Sequence, residues 1–275
     1  SNNAAGVTSI AWQAKIMPVR ISRPDGWAYT STIADGLIWA ADHGARIANI
    51  SYEVSDSATV SIAADYMRAQ GGVVIASAGN GGDQLSLAPN PSIITVSATT
   101  SGDTKASWSN YGGVIDIAAP GSSIWSTKMG GSYGTVSGTS FSSPAVAAVA
   151  ALVMASDPSL DPAGVEDILK NTSEDLGAPG QDDLYGHGRI NAAAALSATG
   201  GSVTADGDLN TDGLVNAADV LIANRILAGQ ITLTTELRQR GDVAPLVNGV
   251  PASDGNFTTG DALVIQRKAL GQAVF

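Results

Sequence analysis

The stretch RIANISYEVSDSATVSIAADYMRAQGGVVIASA, residues 46–78, decides the fold class. Its two ends, Arg46–Tyr52 and Gly72–Ala78, are short apolar runs rich in β-branched residues, which predict strands. Between them, Ser57–Gln70 begins with a capping serine and carries apolar residues at helical spacing. Two strands joined by a helix pair in parallel, because parallel strands need a long crossover connection. The stretch therefore predicts a parallel sheet packed against helices.

The same alternation continues on both sides of this stretch. Further strands are predicted at Ala14–Ile21, Ile93–Thr99 and Val114–Ala118, and further helices at Ser31–Gly44 and Ser140–Ser156. The last helix consists mainly of alanine and valine, so we expect it to be buried. Together the elements predict an α/β layer fold with helices on both faces of the sheet and a ligand site at the carboxyl ends of the strands.

The composition excludes several other classes of protein. The chain is 44% hydrophobic and only 14% charged, which argues against a disordered chain or a coiled coil. No apolar run approaches the length of about 18 residues that spans a membrane. Acidic residues outnumber basic ones 25 to 14, which argues against a nucleic-acid partner and suits the binding of hard cations. The absence of cysteine excludes disulfides and Cys-ligated zinc.

The chain is expected to have two domains. A run of small and polar residues at 199–205 predicts a linker between residues 1–198 and residues 206–275. The sequence begins Ser-Asn-Asn, with neither methionine nor a signal peptide, so we expect that an upstream segment has been removed.

Two motifs in the first domain suggest nucleophilic chemistry. Gly138–Pro144 (GTSFSSP) places Ser140 at the start of the alanine-rich helix, where unpaired N–H groups and the helix dipole favour a developing oxyanion. Ser77–Gly82 (SAGNGG) follows a predicted strand, and the Asn80 amide could donate to the same oxyanion. Each motif has a simpler interpretation, the first as a helix cap and the second as an Asn-Gly turn.

In this order the segments resemble the subtilisin-like serine endopeptidases, or subtilases. The resemblance covers nearly all of residues 1–199 and rests on the following segments: Lys15–Ile21, Asn49–Tyr52, Ala78–Asn80, Ser109–Gly112, Ala118–Gly121, Gly138–Ser140 and Tyr185–Ala192. A related family, the sedolisins, shares Gly-Thr-Ser but has an acidic residue where this chain has Asn80. The amide therefore favours the subtilases.

The resemblance also implies roles for particular residues. Ser140 matches the nucleophile and Asn80 the oxyanion-hole side chain. Ser51, Tyr52 and Glu53 match the edge that pairs with substrate backbone. A wall of the specificity pocket is matched by Ala76, Ser77, Ala78 and Gly79. Glu53 stands where the family usually has a small residue, so it either alters specificity or caps a loop.

The chain departs from the family in its missing general base. Subtilases activate the serine with a histidine oriented by an aspartate, in Asp-Thr/Ser-Gly and His-Gly-Thr-His motifs that are absent here. His43 is expected to interact with a helix end and His187 to be structural. Asp42 is adjacent to His43 and does not face it. We therefore expect the chain alone to be inactive or very slow, and residues 1–199 to form an incomplete domain with an unpaired strand edge.

Residues 206–275 contain an internal duplication. Asp212-Gly213 is repeated 42 residues later as Asp254-Gly255, and the residues that follow repeat with the same offset. The first copy has the spacing of oxygen ligands that is typical of an EF-hand. Leu214 would contribute its backbone carbonyl and the other residues their side chains: Asp208, Asn210, Asp212, Leu214, Asn216 and Asp219. The pattern predicts a calcium site at residues 208–219, with a solvated Asn/Asp turn as the alternative.

An aspartate in the last loop position and one helix after each loop resemble the dockerin type I module. A second, weaker site at residues 242–261 would use Asp242, Asp254, Asn256, Thr258 and Asp261, because about eight extra residues interrupt that loop. The resemblance implies a small all-α domain that docks onto a cohesin-like or cell-surface partner. The partner-facing pairs Ala217-Ala218 and Thr259-Gly260 lack the hydroxyls frequent in such modules, so a purely stabilising calcium module is the alternative.

Taken together, the sequence predicts a secreted bacterial serine endopeptidase that acts on polypeptides and carries a calcium-binding docking module. The alternative is a pseudoprotease that serves as a calcium-dependent binding or scaffold protein. A serine esterase is disfavoured, because the G-x-S-x-G motif of α/β-hydrolases is absent around Ser140.

Overall fold

The computed structural model describes residues 6–199 and 205–275. The chain forms two compact units, Ser1–Gly200 and Gly201–Phe275. Apart from its first and last residues, the predicted linker at 199–205 lies outside the described residues.

The first unit is built on a four-stranded parallel sheet. Its strands, in spatial and chain order, are β1 (Ile47–Ile50), β2 (Val73–Ser77), β3 (Ile94–Thr99) and β4 (Ile117–Pro120). Every residue of β2 and β3 is buried, as expected for parallel strands that are covered on both faces. The predicted parallel sheet is confirmed.

Helices cover both faces of this sheet. On one face lie α1 (Thr30–Asp42) and α2 (Ala58–Ala69), and on the other α3 (Thr139–Ser156), α4 (Pro162–Asn171) and α5 (Ala192–Ala198). Alternate residues of β2 point to the two sides, because side chains alternate along a strand. Val74 and Ala76 belong to one core cluster, and Val73 and Ile75 to the other.

The helix α3 is the centre of the second core cluster. It packs against all four strands, and Val146, Ala150 and Val153 are fully buried. Its 18 residues, with a mean hydropathy of 1.5, are long and apolar enough to cross a membrane, which corrects the expectation that no segment reaches that length. Because the helix packs along the sheet, it has the position of a core helix in a globular domain.

Two strand predictions need correction. Ala14–Ile21 forms no strand: Ile16 is 84% exposed, and among the described residues no strand pairs with this segment. A strand needs a hydrogen-bonding neighbour, and β1 is the edge of the described sheet. The prediction at Val114–Ala118 begins too early, because Val114 and Ile115 belong to a small separate core cluster ahead of β4.

An antiparallel hairpin precedes α3 and was not predicted. It consists of β5 (Ile124–Lys128) and β6 (Ser132–Val136). The connecting Gly130 and Gly131 have φ values of +85° and +79°, which suit the tight turn of a hairpin.

One buried carboxylate and three partly buried charges connect the helices to the sheet. The Lys170 ammonium lies 2.8 Å from a carboxylate oxygen of Asp116 and 2.7 Å from one of Glu166. Glu166 also pairs with Arg68 at 2.8 Å. Burial raises the pKa of Asp116, and the neighbouring Lys170 opposes that rise. This network connects α2, α4 and the start of β4.

Within residues 205–275, the second unit contains the helices α6 (Ala217–Leu227), α7 (Thr235–Gly241) and α8 (Thr259–Ala269). Its core is formed around Ala223, Ile226, Ala262 and Ile265. The prediction of an all-α unit is wrong in one respect, because the extra residues of the second loop form a hairpin of β7 (Leu246–Val247) and β8 (Val250–Pro251). Asn248-Gly249 makes its turn with φ values of +55° and +82°, as an Asn-Gly hairpin turn requires.

Candidate active site

Ser140 is the second residue of α3, at the end of the helix that faces the carboxyl ends of the strands. The preceding Gly138 caps the helix with φ +156°, a conformation that side-chain-bearing residues rarely adopt. The first N–H groups of a helix have no partner within the helix, and they lie at the positive end of its dipole. The half-buried Ser140 hydroxyl therefore lies where negative charge is stabilised.

The side chain of Asn80 is fixed against this helix start. Its Oδ1 accepts hydrogen bonds from the Thr139 backbone N–H at 2.8 Å and from the Thr139 hydroxyl at 3.0 Å. The Thr139 hydroxyl in turn accepts from the Gly79 N–H at 3.1 Å. Nδ2 lies 3.7 Å from the position of a Cβ built on Gly138 and donates to none of the described residues. An unused amide donor thus lies beside Ser140.

The loop that carries Asn80 is anchored by Asn110, a residue whose role the sequence did not suggest. The Asn110 Oδ1 accepts from the backbone N–H groups of Gly81 at 2.9 Å and Asp83 at 3.0 Å, and its Nδ2 donates to the Ala78 carbonyl at 3.0 Å. Asn110 is 2% exposed. The Ser-Asn-Tyr-Gly segment was the available signal, but its loop composition alone does not reveal which loop it holds.

The end of β1 meets the start of α3. The Ser140 hydroxyl donates to the Ser51 carbonyl at 3.3 Å, and the Ser51 hydroxyl donates to the Ser140 carbonyl at 3.1 Å. The predicted substrate edge, Ser51–Glu53, therefore begins next to the candidate nucleophile. Tyr52 is half-buried and donates to the Gly26 carbonyl at 2.7 Å.

The predicted pocket wall is divided between core and site. Ala76, Ser77 and Ala78 are buried, and the side chains of Ala76 and Ala78 belong to two hydrophobic clusters. Gly79 is the member of this wall that contacts the site, because the Glu53 carboxylate occupies the space that a Cβ on Gly79 would need. The Glu53 Oε2 accepts from the Asn110 Nδ2 at 3.3 Å.

No histidine bonds to Ser140 in the part of the chain that the structure describes. The His43 ring stacks on Trp39 at 3.9 Å between centroids, and its Nδ1 lies 2.7 Å from the Trp39 carbonyl. His187 lies in a loop, where its backbone N–H donates to the Asp116 carbonyl at 2.8 Å. The His43 imidazole therefore has the helix-end contact predicted for it, whereas the structural role of the His187 side chain stays a prediction.

The second unit contains two loops with the same hydrogen-bond pattern. Asp208 accepts from the N–H groups of Asp212 at 3.2 Å and Gly213 at 2.9 Å. Asp242 accepts equivalently from Asp254 at 3.1 Å and Gly255 at 2.6 Å. Gly213 and Gly255 both have φ +85°. The two loops close in the same way, although one contains the inserted hairpin.

The last acidic residue of each loop is also buried and bonded to backbone. Asp219 accepts from the N–H groups of Leu209 and Asn216, and Asp261 from those of Ala244 and Thr258. Asp208, Asp219, Asp242 and Asp261 are at most 7% exposed, and none has an ion-pair partner within residues 6–199 and 205–275.

The other predicted calcium ligands lie at the rim of the loops. These are half-buried or exposed: Asn210, Asp212, Leu214, Asn216, Asp254, Asn256 and Thr258. Among the described residues no three carboxylates or imidazoles converge as a ready-made metal site. Calcium binding therefore stays a prediction, and its fit rests on the four buried carboxylates.

The combination of a parallel sheet, a serine at a helix start and an amide beside it defines a serine hydrolase-like site. The subtilase family model matches residues 1–188, and the chain therefore belongs to the subtilase family. This match covers the whole of the sheet and the site around Ser140.

Two related sequences and one solved structure illustrate what the chain is similar to, and all three are described as proteases. Subtilisin BL of Lederbergia lenta is 38% identical over 197 residues, which cover 70% of this chain and 72% of that protein. An extracellular protease of Xanthomonas campestris pv. campestris is 40% identical over 222 residues, which cover 72% of this chain and 38% of that protein. A solved protease structure from Pseudoalteromonas arctica PAMC 21717 superposes with a TM-score of 0.64 at 33% identity, covering 72% of this chain and 67% of that one.

Proposed function

We propose that Ser140 is the nucleophile of a serine endopeptidase that cleaves polypeptides through an acyl-enzyme. The observation that supports this proposal most strongly is the orientation of the Asn80 amide. Because its oxygen accepts hydrogen bonds from Thr139, its NH₂ group remains as an unused donor beside Ser140. Membership of the subtilase family supports the same reaction class.

In the proposed reaction the Ser140 oxygen attacks the peptide carbonyl carbon while its proton passes to a general base. The oxyanion that forms accepts hydrogen bonds from the Asn80 Nδ2 and from the N–H groups at the start of α3. Collapse of this intermediate expels the amine, which takes the proton from the base, and leaves an ester on Ser140. Water then hydrolyses the ester by the same steps in reverse order.

The general base is the part of the reaction that these residues do not supply. The Ser140 hydroxyl bonds to the Ser51 carbonyl, the His43 Nδ1 lies against the Trp39 carbonyl, and among the described residues neither imidazole bonds to Ser140. Removal of any triad member leaves only the slow reaction that the oxyanion hole and substrate binding support. We therefore expect the 275-residue chain by itself to hydrolyse peptide bonds very slowly or not at all.

The proposal is tested by comparing how fast two forms of the protein hydrolyse an unfolded substrate protein. One is the product of the complete coding sequence, and the other is the chain of residues 1–275. The complete product should degrade reduced, unfolded substrate, and Ser140→Ala should abolish that activity, whereas Ser132→Ala, at an exposed hairpin serine, should not. A folded complete product without Ser140-dependent hydrolysis would instead favour the alternative, a pseudoprotease that serves as a scaffold.

For residues 206–275 we propose calcium binding by a dockerin-like module. Support comes from four buried carboxylates without ion-pair partners in the described part of the unit, since buried charges are costly unless they are paired or bind a metal. Asp208 and Asp219 would hold the first ion together with the rim oxygens of residues 210–216. Asp242 and Asp261 would hold the second, weaker ion. Calcium would supply the positive charge that these carboxylates lack.

Calorimetric titration of the chelator-treated chain with calcium tests this second proposal. Binding should be lost from the first loop in Asp219→Ala and from the second in Asp261→Ala. Asp167→Asn, at an exposed carboxylate on α4, should bind as the unmodified chain does. Absence of any calcium-dependent heat or thermal shift in the folded chain would contradict it.

The proposed role of this module is attachment to a cohesin-like or cell-surface partner outside the cell. The pairs Ala217-Ala218 and Thr259-Gly260 are exposed at the starts of α6 and α8, where a partner could reach them. A related protein described as an extracellular protease supports secretion. Capture of a cohesin domain with calcium, but not with chelator, tests the attachment, and a module that only stabilises the chain would capture none.

A further inference from the structure

We infer that Glu53 makes the candidate site selective for a cationic substrate side chain, on the residue whose carbonyl Ser140 attacks. This inference rests on the proposed function, since it names the substrate class of the same site. It resolves the two roles that the sequence left open for Glu53 in favour of specificity.

The first step is the position of the carboxylate relative to the reacting atoms. Glu53 lies two residues beyond Ser51, whose carbonyl is 3.3 Å from the Ser140 hydroxyl. On the other side, the Glu53 carboxylate lies over Gly79, the residue that precedes Asn80, and a Cβ on Gly79 would overlap it. Glu53 is therefore two residues from a direct contact of the candidate nucleophile, and its carboxylate lies beside the residue that precedes the oxyanion donor.

The second step is that the surrounding structure holds the carboxylate at this place. Its Oε2 accepts from the Nδ2 of buried Asn110, which also anchors the loop carrying Asn80. Oε1 accepts a hydrogen bond from none of the described residues, and Glu53 is exposed to solvent. A ligand can therefore reach the carboxylate, and one of its oxygens remains available as an acceptor.

The third step is the charge around the carboxylate. Although Glu53 reaches solvent, the partial burial of its carboxyl raises the pKa, and the negative charges of Asp56 and Asp83 raise it further. None of the described lysines, arginines or histidines forms an ion pair with Glu53. The site thus concentrates negative charge without a countercharge, which a lysine or arginine side chain of the substrate would supply.

The inference is tested without turnover by measuring peptide binding to the chain of residues 1–275 that carries Ser140→Ala. Four labelled product peptides share one sequence and differ in their last residue, which is arginine, citrulline, leucine or alanine. Citrulline has nearly the shape of arginine but no charge. We expect arginine to bind about tenfold or more tightly than citrulline, and the preference to disappear in Glu53→Gln, because a charge-assisted hydrogen bond is lost. Glu174→Gln, at an exposed glutamate of the same unit, should keep it.

Each result distinguishes the inference from the proposed function. Equal binding of arginine and citrulline, a preference for alanine, no binding of any peptide to the folded protein, or a preference that survives Glu53→Gln would overturn the inference. If Glu53 only filled space, Glu53→Gln would change all four affinities alike. Selective arginine binding together with no hydrolysis by the complete gene product would overturn the proposed function alone.

Discussion

The Asn80 side-chain oxygen accepts two hydrogen bonds from Thr139, one from the backbone N–H and one from the hydroxyl. These bonds join the loop after β2 to the first turn of α3 across 59 residues of sequence. They also determine which end of the amide faces Ser140, because an amide whose oxygen is occupied presents its NH₂ group on the other side. Thr139 of the Gly-Thr-Ser motif thus orients the amide that would serve as oxyanion donor for Ser140, the next residue of the motif.

Replacement of Asn80 by aspartate tests the hydrogen-bond acceptor and the hydrogen-bond donor of this side chain separately. Aspartate retains oxygens that accept from Thr139 but has no N–H to donate to an oxyanion, and its charge repels one. In the complete gene product, Asn80→Asp should lower kcat by about 10²–10³-fold or more, with a smaller change in KM. The thermal midpoint of the first unit should change little.

Steady-state kinetics and thermal unfolding on the same samples check this prediction. Asn171→Ala, at the exposed end of α4, serves as the matched control and should retain full activity. If Asn80→Asp retained wild-type kcat, the amide would not be the oxyanion donor.

Gly79 and Glu53 should be energetically coupled. Gly79 has φ +98°, and a Cβ there would overlap the Glu53 carboxylate and the Asn110 amide. Gly79→Ala should therefore cost about 1–3 kcal/mol of unfolding free energy for the backbone conformation, and more for the overlap. In a Glu53→Ala background the cost should be smaller, since one of the two overlapping groups has been removed.

Gly26→Ala is the control for the backbone contribution alone. Gly26 has φ +84° but no atom within 4 Å of an added Cβ. Its alanine variant should be less costly than Gly79→Ala and should not depend on Glu53. Equal costs at Gly79 and Gly26 would show that the Glu53 carboxylate does not lie over Gly79.

Loss of Lys170 should strongly destabilise the first unit. Asp116 is 3% exposed, and Lys170→Ala would leave its carboxylate buried without a cation, at a cost of about 3–5 kcal/mol. Denaturation followed by tryptophan fluorescence reports on this unit alone, since all 5 tryptophans precede residue 200. Lys128→Ala, on the exposed end of β5, should change the unfolding free energy by less than about 1 kcal/mol.

The pH dependence of Lys170→Ala has a definite sign. Burial raises the pKa of Asp116 in the folded protein, and Lys170 opposes that rise. An acid with a raised folded pKa binds more protons when folded, so stability falls as pH rises through that pKa. Without Lys170 the fall should be steeper, and the variant should recover part of its stability at acid pH. A deficit that stayed constant with pH would contradict the pairing.

Glu53→Gln should stabilise the chain relative to the unmodified protein, and this gain should be larger at neutral pH than at acid pH. Partial burial is the largest cause of the raised pKa of Glu53, and the charges of Asp56 and Asp83 add to it. Ionisation of Glu53 therefore opposes folding when the pH is above its ordinary pKa. The stability difference between Glu53→Gln and the unmodified chain should grow as pH rises from below that range to neutrality. Asp35→Asn, at an exposed carboxylate on α1, is the comparison, and a larger growth there would contradict the prediction.

The elements whose bounds were predicted from periodicity are those whose apolar residues are spaced to face the sheet. The β1–α2–β2 unit and the helix α3 lie within a few residues of their predicted bounds, because their apolar residues pack on one common sheet. Ala14–Ile21 has the composition of a strand, yet a strand forms only beside another, and that requirement is not visible in the segment itself.

The candidate site was predicted as a set of residues but not as an arrangement. Ser140 and Asn80 were identified from motifs, whereas the roles of Thr139 and Asn110 depend on contacts between distant loops. The position of Glu53 over Gly79 likewise follows from how β1 and β2 end side by side in the sheet. Spacing along the chain could not reveal these contacts.

The most direct test of the central claim is covalent labelling of Ser140. The complete gene product is treated with a fluorophosphonate, and the modified peptide is identified by mass spectrometry. We predict one adduct per molecule, located on Ser140 and absent in Ser140→Ala, with hydrolytic activity lost in proportion to labelling. A folded protein that hydrolyses peptides but is labelled elsewhere, or that neither hydrolyses peptides nor reacts with the probe, would contradict the assignment of Ser140 as the nucleophile.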